Sequence, residues 1–480
     1  MKKGLLLSTL ILCLGLNATA QDKKEEIKDI LAKKWQSYPV SAALEDPSKP
    51  SPKTIPVAPK GVKPKSMEIP ATVSANVVEY SFQDEAMDLL KDLMDKPEDR
   101  TLPAYMELGE GGEDERFLFY DIPVRMLASQ TGLSPELHKK TTTSEKDVAA
   151  FWNALNKAGK KTPSFKEQIV PLFSQCREMY DLNDWTLFQL IKSYVEAEWS
   201  ENPTQQTIAH VFLLNNLGIE AKIAQVGDHV SILLPAQQTI FGKSYITVNG
   251  MPYFLMEDGH PSNIRTYSQR VSTEVAPLNL VLDHRDLVFS VKAPTQVEKY
   301  MGTLDIKLNL PVNQARCDFY NALPPISVKH YAHAMPDSDF AAALVKQLAP
   351  LRKKGAVAGV QALLYAIQMD FDYATDHQQF GREKPFFLEE NFLYPFNDCE
   401  DRAMLFTFLV KRLFKLDAIL LEYPSHVAAA VCFNKPVPAG AYVQYNGRNY
   451  VICDPTYLGA DIGMVIPHLK DTPAEIIAVR

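Results

Sequence analysis

Two stretches of this chain repeat one another at a spacing of 197 residues, and this repeat constrains the fold more than any other sequence feature. His426 follows His229 by 197 residues, and Asn446-Gly447 follows Asn249-Gly250 at the same spacing. The register runs without a gap from 202–258 to 399–455. Asn-Gly between two apolar runs is the strongest short-range signal for a β-hairpin. We therefore predict a duplicated unit, with a chance match of helix and strand patterns as the alternative.

The order of secondary-structure patterns predicts an α+β fold. In both stretches a helix-forming run comes first, and short strand-forming runs follow it. Helices followed by an antiparallel sheet are typical of the α+β class. We assign residues 76–285 to the first copy, 286–337 to a β-rich connecting region and 338–480 to the second copy.

The N-terminus has the features of a secretory signal peptide over residues 1–20. Lys2 and Lys3 form the charged start, an apolar run extends from Leu5 to Leu16, and the small residues Ala18-Thr19-Ala20 follow. A membrane anchor is the alternative, but the apolar run is too short to span a bilayer comfortably. We expect export to the periplasm or the extracellular space, without stable membrane insertion.

Residues 21–75 are predicted to form a short helix and a proline-rich linker. The apolar positions Ile27, Ile30, Leu31 and Trp35 are spaced as on one face of a helix over 22–37. Residues 46–70 then contain seven prolines and several lysines. Such a composition favours a solvated, semi-extended linker over a packed element. A plain spacer is the expected role, and a docking tether is the alternative.

Charge and cysteine content limit the partners and the redox chemistry. The net charge is −8, and no dense Lys/Arg block is interleaved with aromatic residues. We therefore do not expect the protein to bind nucleic acid. Five cysteines follow the predicted signal peptide, without Cys-x-x-Cys spacing. In an oxidising compartment an odd number leaves at least one thiol unpaired within the chain. These cysteines are Cys176, Cys317, Cys399, Cys432 and Cys453.

One cysteine lies where a reactive thiol would be expected. Cys399 follows a Pro/Asn/Asp turn segment and opens a helix-forming run, where the helix dipole stabilises a thiolate. His426 begins a predicted strand and Asp454 ends another, so both are candidates for the base and the acid that orients it. At the repeat spacing Asn202 replaces Cys399 and Glu257 replaces Asp454. The first copy is therefore predicted to be non-catalytic.

The remaining parts of such a site are less well defined by the sequence. The backbone N–H of Cys399 is the expected oxyanion donor, and Gln379 and Tyr394 are possible side-chain donors. A metal site built from Cys399, His426 and Asp454 is a weaker alternative, because no paired-ligand motif accompanies them. We expect neither a metal nor another cofactor. Cys432 and Cys453 can form a disulfide or pack as small apolar residues.

Three motifs together resemble bacterial transglutaminase-like proteins. They are Asn397-Asp398-Cys399-Glu400-Asp401-Arg402-Ala403, Ser425-His426-Val427 and Tyr450-Val451-Ile452-Cys453-Asp454-Pro455-Thr456. The resemblance covers roughly residues 360–460. It implies a papain-like α+β core, a helix packed on an antiparallel sheet, with a triad of Cys399, His426 and Asp454. The superfamily includes cross-linking acyltransferases, peptidases, amidases and inactive binding proteins.

Two functions follow as hypotheses. The first is an exported, cysteine-dependent amide hydrolase (a peptidase or an amidase) or acyltransferase that acts on a peptide or protein amide. The second is a catalytically inactive binding or assembly protein that keeps the same scaffold. The sequence indicates neither the identity of the substrate nor the oligomeric state.

Overall fold

The computed structural model describes residues 35–46, 54–60, 105–109, 111–112, 114–126, 135–159, 162–267, 274–282, 294–435, 437 and 440–479. These residues form helices and mainly antiparallel sheets, which confirms the predicted α+β class. The predicted signal peptide and residues 22–34 of the predicted N-terminal helix lie outside the described residues.

The helices are α1 Glu145–Asn156, α2 Phe165–Met179, α3 Asp184–Glu198, α4 Pro203–Asn216, α5 Gln314–Asn321, α6 Val328–Tyr331, α7 Ser338–Leu348, α8 Ala356–Asp370, α9 Asp376–Phe380, α10 Glu390–Leu393 and α11 Cys399–Phe414. The strands are β1 Trp35–Pro39, β2 Met106–Glu107, β3 Asp114–Phe119, β4 Ile122–Met126, β5 Lys222–Val226, β6 His229–Leu234, β7 Tyr245–Val248, β8 Met251–Leu255, β9 Asn263–Tyr267, β10 Thr295–Met301, β11 Ile306–Val312, β12 Asp372–Tyr373, β13 Phe396–Asn397, β14 Asp417–Tyr423, β15 His426–Cys432, β16 Tyr442–Tyr445, β17 Arg448–Cys453 and β18 Glu475–Ala478.

The first half of the molecule packs four helices against a sheet. The helices α1 to α4 begin at residues whose side chains accept hydrogen bonds from backbone amides of the first turn, which otherwise lack partners. These caps are Ser144, Ser164, Asn183 and Asn202. The sheet order is β1-β9-β5-β6-β8-β7. Val230, Ile232 and Leu234 of β6 belong to the same buried cluster as α4.

The second half packs α11 on one face of a sheet with the order β16-β17-β15-β14-β18. Successive residues of a strand point to opposite faces. Ala429 and Val431 of β15 therefore share a buried cluster with Leu405 and Leu409 of α11. Ala428, Ala430 and Cys432 lie in a separate cluster on the other face. The helix and the sheet thus meet through alternate residues of the central strand.

Corresponding elements of the two halves occur at the repeat spacing. Strand β16 begins 197 residues after β7, and β17 begins 197 residues after β8. Both hairpins turn through Asn-Gly with positive φ at both residues, 52° and 81° in the first and 47° and 70° in the second. Positive φ at both central positions is the geometry that Asn-Gly favours in a two-residue hairpin. Helix, strand pair and hairpin follow one another in the same order in both halves.

The described part of the connecting region, 294–337, contains helices as well as strands. Strands β10 and β11 form a hairpin, and the helices α5 and α6 follow it. Asn313 caps α5 by accepting a hydrogen bond from the Arg316 amide, so a helix begins there.

Tyr320 stacks on Phe387 with ring centroids 3.7 Å apart. The buried cluster of the first half therefore continues into the second half.

The described N-terminal segments, 35–46 and 54–60, pack more closely than a solvated spacer would. Residues 35–37, predicted as the end of a helix, belong to β1, which pairs with β9. The β-bridge between Val57 and Leu458 includes hydrogen bonds from the Ala58 amide to the Leu458 carbonyl (2.7 Å) and from the Leu458 amide to Pro56. The described part of the predicted linker is thus docked on the second half.

Within the described residues, no helix has the length and apolar character needed to cross a membrane.

Candidate functional site

Cys399 is the first residue of α11 and its side chain is fully buried, with 0% exposure. The segment before it is held by short parallel pairing, in which Tyr373 lies opposite Asn397. The thiol Sγ donates a hydrogen bond to Glu400 Oε2 at 3.2 Å. The predicted position at a helix start is therefore found. The thiol is directed towards a carboxylate.

The other charged residues at this helix start hold the backbone in place. Asp401 accepts hydrogen bonds from the Phe386 amide at 2.8 Å and the Asp398 amide at 3.2 Å. Arg402 donates from Nε to Asn397 Oδ1 at 2.9 Å and from Nη2 to the Phe371 carbonyl at 2.7 Å. Burial lowers the pKa of Arg402 to about 10, while nearby acidic groups favour its charged form. This cation offsets part of the negative charge around Cys399.

His426 and Asp454 form a buried pair. His426 Nε2 lies 2.8 Å from Asp454 Oδ2, and the two side chains are 3% and 2% exposed. Asp454 Oδ1 accepts hydrogen bonds from the amides of Thr456 and Tyr457, which fix the carboxylate. His426 Nδ1 is buried and has no hydrogen-bond partner among the described residues. The imidazole is therefore held at one nitrogen and available at the other.

His426 Nδ1 forms no hydrogen bond with the Cys399 thiol or with any other described residue. The His426 ring stacks on Tyr423, its cross-strand partner, at a centroid distance of 6.5 Å. The neighbouring Val427 belongs to the buried cluster that includes Cys399. Within the described residues, Sγ donates to Glu400 and His426 Nδ1 has no hydrogen-bond partner.

The two side chains predicted as oxyanion donors have other partners. Gln379 Nε2 donates to the Phe396 carbonyl at 3.2 Å, and Gln379 Oε1 accepts from the Phe396 amide at 3.1 Å. Gln379 thus fixes β13, just before Cys399. Tyr394 packs edge-on against Phe380, 5.0 Å between centroids, and burial raises its pKa to about 12. Their role as oxyanion donors stays a prediction.

The first-half counterpart of the pair is present but exposed. His229 Nε2 lies 3.0 Å from both carboxylate oxygens of Glu257. His229 is 53% exposed and Glu257 is 30% exposed. Asn202 occupies the position of Cys399 and caps α4 through the Gln205 amide. The first half therefore has the imidazole and the carboxylate, with a capping amide in place of the thiol.

Neither the disulfide nor the metal alternative is found. Cys432 and Cys453 carry no disulfide and belong to buried clusters on opposite faces of the sheet. Burial raises the pKa of the Cys453 thiol well above its ordinary range. Among the described residues, the groups that bring three possible metal ligands within 4.8 Å of one another include neither His426 nor Asp454.

Gln368 supports the site and was not identified from the sequence. It is 2% exposed on α8, and its Nε2 donates to the carbonyls of Asp454 (3.0 Å) and Ala460 (3.2 Å). Its Oε1 accepts from the Gly459 amide at 3.0 Å. In the sequence, Gln368 was recognisable as a polar residue within a largely apolar helix. No sequence pattern indicated which groups it binds.

Replacing Gln368 with methionine should lower the free energy of unfolding by about 2 kcal/mol, since three backbone groups lose a buried partner. It should also accelerate amide exchange at Gly459. Urea unfolding and hydrogen exchange measure the two effects. Gln361→Met on the same helix is the control, because Gln361 is half-buried and, among the described residues, its side chain accepts one hydrogen bond, from the Ile462 amide. Equal losses in both variants would contradict the assigned support role.

Comparison with protein-family models, with curated proteins and with solved structures found no match.

Proposed function

We propose that the chain is a cysteine-dependent acyl-transfer enzyme that acts on peptide or protein amides. The observation that supports this most is the buried His426. Its Nε2 is bound to Asp454, while Nδ1 has no hydrogen-bond partner among the described residues. A buried nitrogen without a partner is costly unless a group binds there at some stage. In this proposal that group is the Cys399 thiol.

We also infer a papain-like core in the second half and a duplication that produced the first half. The support is the order of elements around α11, β14, β15 and the β16–β17 hairpin, and its recurrence at the same spacing in the first half. The His–carboxylate pair recurs too, as His229 and Glu257. Loss of the cysteine in one copy fits a division of roles between an active and an inactive half.

The reaction begins when Cys399 leaves Glu400 and transfers its proton to His426 Nδ1. The thiolate attacks the amide carbonyl, and the backbone N–H of Cys399 stabilises the oxyanion. The imidazolium then donates its proton to the leaving amine, which leaves a thioester on Cys399. Water, or a second amine, then attacks the thioester while it gives a proton to His426. The carbon–sulfur bond breaks, which releases the acid or the new amide, and the Cys399 thiolate takes that proton back from His426. Asp454 orients the imidazole and stabilises its charged form throughout.

Hydrolysis is the preferred outcome of the two. Transfer to an amine requires a site that binds the amine and excludes water, whereas hydrolysis needs only water. The signal-peptide features of residues 1–20 support a reaction outside the cytoplasm. No metal or organic cofactor is needed for any of these steps.

The proposal predicts burst kinetics with p-nitrophenyl acetate. The parent should release about one equivalent of nitrophenolate rapidly and then turn over more slowly, since acylation precedes a slower release. Cys399→Ala should show no burst. Adding glycinamide distinguishes the acceptors: an unchanged slow phase indicates water, and a faster one indicates amine transfer. A burst of equal size in both proteins would contradict the proposal.

The alternative of an inactive binding or assembly protein is favoured by one observation. Cys399 is fully buried and directed towards Glu400, an arrangement that protects a thiol. Under this alternative the His426–Asp454 pair has only a structural role. Absence of a burst in the parent would favour it.

A further inference from the structure

A cavity of about 460 Å³ is lined mainly by the first half of the molecule. Its lining includes residues of β6 and Glu257, which lie 197 residues before β15 and Asp454. The volume is within the range of about 300–1,000 Å³ that is usual for small-ligand sites. The cavity is therefore a candidate binding site in the half that lacks the thiol.

One part of the lining is apolar. Val230 and Ile232 of β6 are 7% and 9% exposed, and Met256, just after β8, is half-buried. These side chains carry no hydrogen-bonding group that a ligand would have to satisfy. An apolar group packed against them would lose contact with water at no polar cost. This part of the cavity suits the apolar portion of a ligand.

Most charged side chains of the lining already have a partner. The pairs are Lys192 with Glu196 at 2.8 Å, Lys243 with Asp258 at 2.6 Å and Glu257 with His229 at 3.0 Å. A ligand that bound one of these groups would have to displace the existing partner. These pairs therefore offer little to an incoming charge.

Arg382, from the loop between α9 and α10, differs from these pairs. Its Nη1 donates to the Glu383 carbonyl at 3.2 Å, and its Nη2 donates to Asn321 Oδ1 at 3.0 Å and to the Asn321 carbonyl at 3.4 Å. Among the described residues it forms no ion pair, so neutral oxygens orient the guanidinium without supplying a full negative charge. Lys243, and to a smaller degree Arg382, lower the pKa of Asp258, but that carboxylate is bound to Lys243.

A carboxylate matches the exposed part of Arg382. The side chain is half-buried and lines the cavity, so a ligand there can reach it. A guanidinium can form two parallel hydrogen bonds with one carboxylate, and it remains charged at any ordinary pH. A phosphate group would bring a second negative charge next to Glu257 and Asp258, which would repel it. A single negative charge is therefore favoured.

We propose that this cavity binds the C-terminal carboxylate of a peptide through Arg382, with an apolar last side chain against β6. Cys399 takes no part, so the inference goes beyond the proposed acyl-transfer activity and stands without it. The second half supplies the cation and the first half supplies the apolar surface, so the two halves form the site together.

The test is calorimetric titration of the full chain carrying Cys399→Ala, which keeps every probe intact. N-Acetyl-L-phenylalanine carries the carboxylate, and N-acetyl-L-phenylalaninamide is its neutral counterpart. We expect the acid to bind about tenfold more tightly than the amide, because its hydrogen bonds to Arg382 are charge-assisted. Phenyl phosphate should bind about fivefold more weakly than the acid, because the neighbouring carboxylates repel its second charge.

Adding Arg382→Gln should weaken binding of the acid about tenfold and leave binding of the amide within about twofold. Arg352→Gln is the matched control. Arg352 is exposed and also donates to a backbone carbonyl, that of Arg412 at 3.3 Å, so the change removes the same charge at a different position. Binding of the acid in this variant should stay within about twofold of the value without it.

Four results would overturn the proposal. They are failure of the acid to bind at millimolar concentration, equal binding of acid and amide, tighter binding of phenyl phosphate than of the acid, and equal losses in the two arginine variants. The first three comparisons need no change at Arg382, so they decide the matter even where Arg382→Gln does not fold.

Discussion

Alkylation of Cys399 by iodoacetamide at pH 6.5 should slow by about 100-fold when His426 is replaced with alanine. An ordinary thiol, with a pKa of about 8.5, is only about 1% ionised at that pH, and the thiolate is the nucleophile. In the proposed enzyme His426 Nδ1 takes the thiol proton, so the parent reacts as a thiolate. Peptide mapping of the alkylated protein at a series of times measures the rate at Cys399 alone.

The repeat supplies the control for this experiment. His229→Ala removes the corresponding imidazole of the first half, which is paired with Glu257 and has no thiol at the Cys399 position. The rate at Cys399 should not change in this variant. A parent that reacts at pH 6.5 as slowly as His426→Ala would contradict a role of His426 in activating the thiol.

Replacing Asp454 with alanine should lower the free energy of unfolding by about 3 kcal/mol. The carboxylate is 2% exposed and binds His426 as well as the amides of Thr456 and Tyr457. Its removal leaves these buried donors without a partner, and breaking a buried pair in this way typically costs about 3–5 kcal/mol. Urea unfolding measures the loss.

The corresponding change in the first half should be much milder. Glu257→Ala breaks an ion pair whose two members are 30% and 53% exposed. Exposed pairs contribute about 0–1 kcal/mol, because solvent screens them. A loss of 1 kcal/mol or less is therefore expected. Similar losses in the two variants would show that burial does not distinguish the two pairs.

The sequence predicted the α+β class and the local elements of both halves because their signals are local. Asn446-Gly447 and Asn249-Gly250 specify their own backbone conformation, and a hairpin follows wherever apolar runs flank such a pair. The helix start at Cys399 follows from the turn residues before it. The pairing of His426 with Asp454 was predicted from the resemblance and from their positions at strand ends.

Other features depend on contacts between distant residues and could not be predicted from local patterns. Gln368 binds the Asp454 carbonyl 86 residues later, and no local pattern indicates that partner. Helix α5 was predicted as part of a strand-like region, although Asn313 caps it. The orientation of the Cys399 thiol towards Glu400 depends on a side-chain rotamer, which the sequence pattern does not determine.

The most direct test of the central claim is to locate the acyl group after reaction with p-nitrophenyl acetate. The protein is quenched in acid during the burst, digested and mapped by mass spectrometry, with and without neutral hydroxylamine, which cleaves thioesters. The account predicts one acetyl group on the peptide that contains Cys399, removed by hydroxylamine and absent in His426→Ala. Acetyl groups found only on lysines, or on Cys399 to the same extent in His426→Ala, would contradict it.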